Sequence, residues 1–113
     1  MNTKIEYTKG SGNVYQDLEL PDAAERLAKA KLAMRIETII EQRKLKQTEA
    51  AELLEINQPK ISALMNGRLA GFSMERLIHF LSLLNQDVEI IVKAKPLKGR
   101  NIAAKGKLNV AFA

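Results

Sequence analysis

The stretch AAELLEINQPKISALMNG, residues 50–67, decides the fold that this sequence predicts. Its apolar residues recur with a helical period, stop at residues 55–57, and resume through Pro59. Proline disrupts a helix interior but is tolerated in the first turn, where its missing N–H costs no intrahelical hydrogen bond. The break therefore predicts two short helices, over residues 47–54 and 58–66, joined by a sharp turn.

Capping residues mark both ends of the second short helix. Asn57 can accept hydrogen bonds from the first N–H groups of that helix, and Asn66-Gly67 supplies a left-handed stop. Small Ala51 lets the two helices approach closely. The apolar residues expected to converge on one core are Leu54, Ile56, Ile61 and Leu64. Together these signals predict a helix-turn-helix over residues 47–67.

A long helix is predicted before this unit. Pro21 precedes Asp22 and Glu25, an acidic N-cap followed by an acid three residues later. Nothing breaks the helix until about Lys44. Its apolar residues form two overlapping stripes, one of which contains Leu27, Ala30 and Met34. About 22 helical residues extend roughly 33 Å, farther than one small core, so we expect the first half to contact a second copy or the N-terminal arm.

Another helix is predicted after the unit. Ser73 is a suitable N-cap, and Asn85 tolerates the left-handed conformation that ends a helix. The apolar face between them consists of Met74, Leu77, Ile78, Leu81 and Leu84. His79 lies beside this face, and we expect it at the surface. The predicted fold class is therefore mainly α, with a helical bundle over residues 21–86.

The apolar period changes to 2 in DVEIIVKAK, residues 87–95, which predicts a β-strand over residues 87–96. A lone strand needs a partner because both of its edges carry unpaired backbone groups. We prefer the same strand of a second copy, which gives a two-fold symmetric homodimer. The alternative is the N-terminal arm around Ile5 and Tyr7. The residues predicted to form the dimer contact are Val88, Ile90, Ile91 and Val92.

Charge is unevenly distributed along the chain. The net charge is +5, but residues 93–113 contain six basic and no acidic side chains, whereas residues 1–92 are slightly acidic. A basic end can steer toward polyanions, yet its composition favours a solvated, disordered tail over residues 97–113. Residues 1–20 combine glycines with short alternating pieces, which predicts an extended N-terminal arm with a turn.

The composition excludes several classes of function. There are no cysteines and one histidine, so we expect no disulfide, metal site or catalytic triad. No nucleophile elbow, phosphate loop or pair of catalytic carboxylates is visible, so we expect neither enzymatic activity nor a cofactor. No apolar run approaches the roughly 20 residues that cross a bilayer. The sequence therefore predicts a cytoplasmic protein without a membrane span.

The longer stretch LKQTEAAELLEINQPKISALMNG, residues 45–67, resembles the helix-turn-helix of the Xre family, which is the fold of the phage lambda and 434 repressors. In that family a glutamine opens each of the two helices, and Gln47 and Gln58, eleven positions apart, match these glutamines. The residues that match the rest of the pattern are Ala51, Ile56, Ile61, Asn66 and Gly67. Residues 10–96 are similar to the HigA-type antitoxin branch of the family.

Two positions depart from the family pattern. Glu55 stands where the family usually has glycine at the turn, which costs on the order of 1 kcal/mol if the left-handed geometry is kept. Lys46 stands where the family often has a threonine N-cap, so the first helix is less well capped. Both departures lower the expected stability of the turn without removing the fold.

A helix-turn-helix inserts the N-terminal end of its second helix into the major groove of double-stranded DNA. The Gln58 amide can donate and accept at once, which matches adenine, and Lys60 can reach guanine or a phosphate. The resemblance implies that Gln47 binds a phosphate and braces Gln58, and that Asn66 holds the backbone. The residues predicted to bind DNA are Gln47, Asn57, Gln58, Pro59, Lys60, Ser62, Ala63, Asn66 and Arg68, together with the flanking Arg43 and Lys44.

The resemblance implies a sequence-specific repressor that binds an operator as a homodimer. It also implies an antitoxin that binds a HigB-like ribonuclease toxin, because HigA-like proteins both bind toxin and repress their own operon. The alternatives are a toxin inhibitor with little DNA role and a stand-alone phage-type repressor. Few long side chains face the groove, so we expect dimer spacing and DNA shape to supply much of the specificity.

Overall fold

The computed structural model describes residues 21–95 and 106–113. Its helices are α1 (Pro21–Gln42), α2 (Gln47–Leu54), α3 (Gln58–Met65) and α4 (Met74–Leu83). No strand occurs among the described residues. The mainly α helix-turn-helix fold is confirmed, and each helix lies close to its predicted bounds. The predicted N-terminal arm, residues 1–20, and residues 96–105 lie outside the described part of the chain.

Helix α1 buries one of its two apolar stripes and exposes the other. The buried face comprises Ala28, Leu32, Ala33, Ile36, Ile39 and Ile40. Leu27 and Met34 project from the opposite side, with 59% and 66% of their surface exposed. A helix presents one face to one core, so the second stripe remains uncovered by the described residues. Its contact with a second copy or with the N-terminal arm stays a prediction.

The core that positions the helix-turn-helix is apolar, with no buried polar or charged side chain among the described residues. Helix α1 packs against α4, and α2 packs against α3. Leu54 of α2 and Ile61 of α3 are almost completely buried where these two helices meet. The rings of Phe72 and Phe80 meet edge to face, with centroids 5.9 Å apart. Each such buried side chain contributes about 1.5–3 kcal/mol, so packing holds the short helices in place.

The four helices of the described residues all end with the same backbone pattern. The left-handed residues after the helices are Lys44, Glu55, Gly67 and Asn85, with φ of 57°, 61°, 75° and 65°. The backbone N–H of the residue after each left-handed residue donates to a carbonyl five residues earlier. These hydrogen bonds, 2.9–3.1 Å long, run from Leu45 to Ile40, from Ile56 to Ala51, from Arg68 to Ala63 and from Gln86 to Leu81. The stops predicted at Gly67 and Asn85 are confirmed, and the turn at Glu55 keeps its left-handed geometry.

The segment after α4 is neither helix nor strand. Residues 86–95 make no strand pairing with any other described residue. A strand requires hydrogen bonds to a neighbouring strand, and the preferred neighbour is a second copy of the chain. The strand predicted over residues 87–96 is therefore not formed within the described chain, and its pairing across a dimer stays a prediction.

The tail expected over residues 97–113 is described only in its last residues. Its described part, residues 106–113, lies against α1. Lys31 Nζ donates to Asn109 Oδ1 at 3.0 Å and to the Val110 carbonyl at 3.3 Å. Among these residues Val110 packs against the apolar core, whereas the others are exposed. The disordered tail stays a prediction, and residues 97–105 lie outside the described part of the chain.

Candidate nucleic-acid interface

The turn between α2 and α3 exposes the N-terminal end of α3. Asn57 Oδ1 accepts a hydrogen bond from the Lys60 N–H at 2.9 Å, which caps α3 as predicted. Pro59 lies in the first turn of the helix, where its missing N–H costs nothing. Ile61 anchors the helix in the core. Gln58 and Pro59 therefore remain exposed at the start of the helix.

A hydrogen bond joins the first residues of α2 and α3. Gln58 Nε2 donates to Gln47 Oε1 at 3.1 Å, and both side chains are exposed. The bond leaves one N–H and the carbonyl oxygen of Gln58 available, which is the donor and acceptor pair that adenine requires in the major groove. It also leaves the NH₂ group of Gln47 able to donate to a phosphate. The bracing contact implied by the family resemblance is present.

The outer side of α3 carries short side chains. Ser62 and Ala63 are half-buried, and Asn66 is exposed. Asn66 Nδ2 donates to the Ser62 carbonyl at 2.8 Å, so this side chain holds the last turn of its own helix. The resulting surface is shallow and permits the close approach of a DNA duplex.

Lys60 does not extend from this surface. Its ammonium lies 5.3 Å from the ring centroid of Phe72. The same nitrogen lies close to Gly71, because a Cβ added to that glycine would be 3.3 Å from it. A cation over an aromatic ring is stabilised by about 0.5–1 kcal/mol at exposed sites, so Lys60 must leave this contact to reach a base or a phosphate. The local sequence pattern does not predict this contact, because the contact depends on a loop residue twelve positions later.

Arg76 is a second cation at this loop, and it was not among the residues predicted to bind DNA. Its guanidinium carbon lies 5.9 Å from the Phe72 centroid and 5.7 Å from the Phe80 centroid. Its N–H donates to Ser73 Oγ at 3.0 Å, which caps α4. Arg76 and Lys60 therefore both contact Phe72 and concentrate positive charge beside the loop between α3 and α4. The available sequence signal was the position of Arg76 three residues after the cap.

The three predicted flanking cations have different surroundings. Arg43 Nη2 donates to the Leu84 carbonyl at 2.6 Å, so its guanidinium closes the end of α4 and ties it to the end of α1. Lys44 and Arg68 are exposed in the turns that follow α1 and α3. Part of the donor capacity of Arg43 is thus used within the protein, whereas Lys44 and Arg68 are more accessible to phosphates.

Other kinds of site find little support in the part of the chain that the structure describes. Those residues contain no cluster of His, Cys, Asp and Glu suited to a metal ion. None of the helices is both long and apolar enough to cross a membrane. His79 is exposed, as expected. The exposed start of α3 with its glutamine pair is therefore the candidate functional site.

Comparisons with known proteins identify related helix-turn-helix proteins. Residues 14–93 match a protein-family model described as a helix-turn-helix domain. A solved structure named "Putative XRE Family Transcriptional Regulator" is 45% identical to the chain, covers 82% of this chain and 100% of its own, and has a TM-score of 0.74. No curated protein matches the sequence.

Proposed function

Because the chain belongs to the XRE family of helix-turn-helix transcriptional regulators, we propose that it is a repressor that recognises an operator in double-stranded DNA as a homodimer. The observation that carries this proposal is the hydrogen bond between Gln47 and Gln58 at the exposed start of α3. A helix-turn-helix directs this end of its second helix at base edges in the major groove. The bond supports a role in base recognition because it fixes a side chain that both donates and accepts.

Base recognition is assigned to the first turn of α3. Gln58 donates to adenine N7 and accepts from adenine N6 with the amide atoms that Gln47 leaves available. The bond to Gln47 restrains the Gln58 rotamer before DNA arrives, which reduces the ordering cost of about 0.5–1.5 kcal/mol per immobilised side chain. The methyl group of Ala63 contacts a thymine methyl where the groove floor comes close to the helix.

Phosphate contacts are assigned to groups around the glutamine pair. Gln47 donates its NH₂ group to a phosphate, and the exposed side chains of Lys44 and Arg68 meet phosphates on either side. Lys60 joins them by leaving Phe72. Each neutralised phosphate releases condensed counterions. The logarithm of the binding constant therefore falls with the logarithm of the salt concentration, with a slope of about −0.9 per phosphate contact.

The homodimer is assigned to residues 88–92, with pairing between two copies of the segment. Two-fold symmetry places two α3 helices on successive major-groove half-sites, about 34 Å apart. With few long side chains on α3, this spacing and the deformability of the DNA between half-sites contribute much of the discrimination.

Fluorescence anisotropy of the full chain tests the proposal. The probes are the promoter fragment of its own gene and a scrambled fragment of the same composition, at about 150 mM salt. We expect a preference of roughly 10³ or more for the promoter. Gln58→Ala should reduce this preference by about 10-fold or more, because a bidentate base contact discriminates by about 1–3 kcal/mol.

Gln42→Ala is the matched control, since Gln42 is an exposed glutamine at the end of α1, outside the α2–α3 unit. It should leave the preference for the promoter unchanged. Equal, weak and salt-sensitive binding to both fragments would contradict operator recognition. A strong preference that survives Gln58→Ala would contradict the assignment of base reading to Gln58.

A further inference from the structure

A groove of about 470 Å³ lies between α1, α4 and two non-helical segments. We name these the post-α4 segment, residues 86–92, and the C-terminal segment, residues 107–113. Leu32 and Arg35 of α1 and Ile78 of α4 form the floor of the groove, and the two segments form its walls. Neither segment belongs to the surface that the proposed DNA contacts use.

Two basic residues of α1 hold the C-terminal segment. Lys31 Nζ donates to Asn109 Oδ1 and to the Val110 carbonyl, and the Arg35 guanidinium carbon lies 4.2 Å from the Phe112 ring centroid. Val110 is half-buried and packs against the apolar core. This segment lies beyond residues 14–93, which the helix-turn-helix family model matches.

Both walls of the groove expose large apolar side chains. The most exposed are Ile90 at 75%, Ile91 at 69%, Val92 at 92%, Leu108 at 51% and Phe112 at 43%. Exposed large apolar side chains that cluster in one part of a soluble protein are typical of a contact surface. The uncovered residues Leu27 and Met34 of α1 add to the exposed apolar area of the chain.

Both walls also have the sequence pattern of β-strands. Val88, Ile90 and Val92 alternate with other residues in one wall, and Leu108, Val110 and Phe112 alternate in the other. Apart from Gln86, whose N–H donates to the Leu81 carbonyl at 3.0 Å, the residues of the two walls make no backbone-to-backbone hydrogen bond with another described residue. Their N–H and C=O groups therefore form open edges that can accept a further strand.

The charges around the groove favour a second copy of the chain over a polyanion. The charged residues that line the groove are Asp87 and Glu89 of the post-α4 segment and Arg35 of α1, and Lys107 directly precedes the lining residues of the C-terminal segment. In a two-fold symmetric dimer, a surface patch contacts the same patch on the second copy. A patch that carries both positive and negative side chains can therefore be complementary to itself. The two carboxylates would repel nucleic acid.

We propose that the post-α4 segment of a second copy occupies this groove, and that the C-terminal segment, latched to α1 by Lys31 and Arg35, is a second dimerisation strand. This inference rests on the homodimer proposed above and adds to it a contact outside the matched family region. The dimer then covers the apolar side chains of both walls and provides hydrogen-bond partners for their open edges.

Sedimentation equilibrium of the full chain without DNA tests the latch. Phe112→Ser and Arg35→Ala should each raise the dimer dissociation constant roughly tenfold or more, as expected for truncation of a central interface side chain. Arg26→Ala is the matched control, since Arg26 is an exposed arginine of α1 outside the groove lining, and it should change the constant less than about twofold. Thermal unfolding followed by circular dichroism verifies that each variant is folded.

Hydrogen exchange with mass spectrometry, at concentrations below and above the dissociation constant, provides the second readout. Amides of both segments should become more protected as the dimer forms, and Phe112→Ser should reduce protection in both. One outcome would overturn the inference but leave the homodimer standing. In that outcome residues 88–92 are protected in the dimer, the C-terminal segment is not, and Phe112→Ser leaves the dimer dissociation constant unchanged. If amide protection does not depend on protein concentration, or if the wild-type chain stays monomeric, both the latch and the homodimer are overturned. Promoter binding is tested separately by fluorescence anisotropy.

Discussion

Helices α2 and α3 have the same length, eight residues each, yet their ends consist of very different residues. Helix α3 begins after Asn57, whose side chain accepts a backbone N–H, and ends before the left-handed Gly67. Helix α2 begins after Lys46, which has no acceptor to offer, and ends at the left-handed Glu55. Local sequence therefore favours the ends of α3 and disfavours those of α2.

The difference shows that tertiary packing can impose a helix end against local preference. A left-handed conformation costs a non-glycine residue about 1–2 kcal/mol, and a missing N-cap costs about 1 kcal/mol. The backbone pattern after α2 is nevertheless the same as after α3, with Ile56 N–H donating to Ala51 and Arg68 N–H donating to Ala63, both at 2.9 Å. We infer that the core shared by the two helices holds α2, whereas α3 is also stabilised by its own caps.

The largest expected effect comes from removing that shared core. Ile61 of α3 is completely buried, and Ile61→Ala should lower the free energy of unfolding by about 2–5 kcal/mol, because truncation loses buried area and leaves a cavity. The measurement is urea unfolding followed by circular dichroism. Leu53→Ala in α2 is the control, since Leu53 is 39% exposed, and it should lower the free energy much less. Equal losses in the two variants would contradict the shared core.

Exchanging the two left-handed residues should change stability in opposite directions. Glu55→Gly should raise the free energy of unfolding by roughly 1 kcal/mol, because glycine adopts positive φ without steric cost. Gly67→Ala should lower it by a similar amount, and no atom lies within 4 Å of the added Cβ, so the loss reflects backbone conformation alone. Chemical denaturation measures both. If Glu55→Gly destabilises the protein, the carboxylate has a stabilising contact that outweighs its backbone strain.

The N-cap of α3 should contribute about 1 kcal/mol. Asn57→Ala removes the acceptor that receives the Lys60 N–H at 2.9 Å and should lower the free energy of unfolding by about 0.5–2 kcal/mol. Asn57→Asp retains an acceptor and serves as the conservative control, with a smaller loss or none. A loss below about 0.3 kcal/mol for alanine would mean that water replaces the cap, and the contrast between the two helices would then rest on Glu55 alone.

Features that depend on residues close in sequence could be predicted. Asn57, Pro59 and Gly67 mark α3 because each favours a particular backbone geometry within one turn of itself. The glutamine pair was accessible through the family resemblance, which fixes its spacing at eleven residues. The helix-turn-helix and the exposed N-terminal end of α3 could therefore be predicted from the sequence.

Features that depend on distant residues could not be predicted. Arg43 donates to a carbonyl 41 positions later, and Lys31 contacts the C-terminal segment 79 positions later. Nothing in the local pattern around either residue selects such partners. The same reason explains why Lys60 was expected to extend toward DNA rather than to lie over Phe72.

The smallest expected effect comes from giving α2 the cap that α3 already has. Glu49 Oε1 accepts the Lys46 N–H at 2.7 Å, which is one half of a reciprocal capping box, and a threonine at position 46 would supply the other half. Lys46→Thr should therefore raise the free energy of unfolding by about 0.5–1 kcal/mol, measured by urea unfolding. Lys46→Ala removes the same charge without adding an acceptor, so it should not reproduce the gain. If both variants stabilise the protein equally, the gain comes from removing a positive charge at the N-terminus of α2, where the helix dipole disfavours it, rather than from capping.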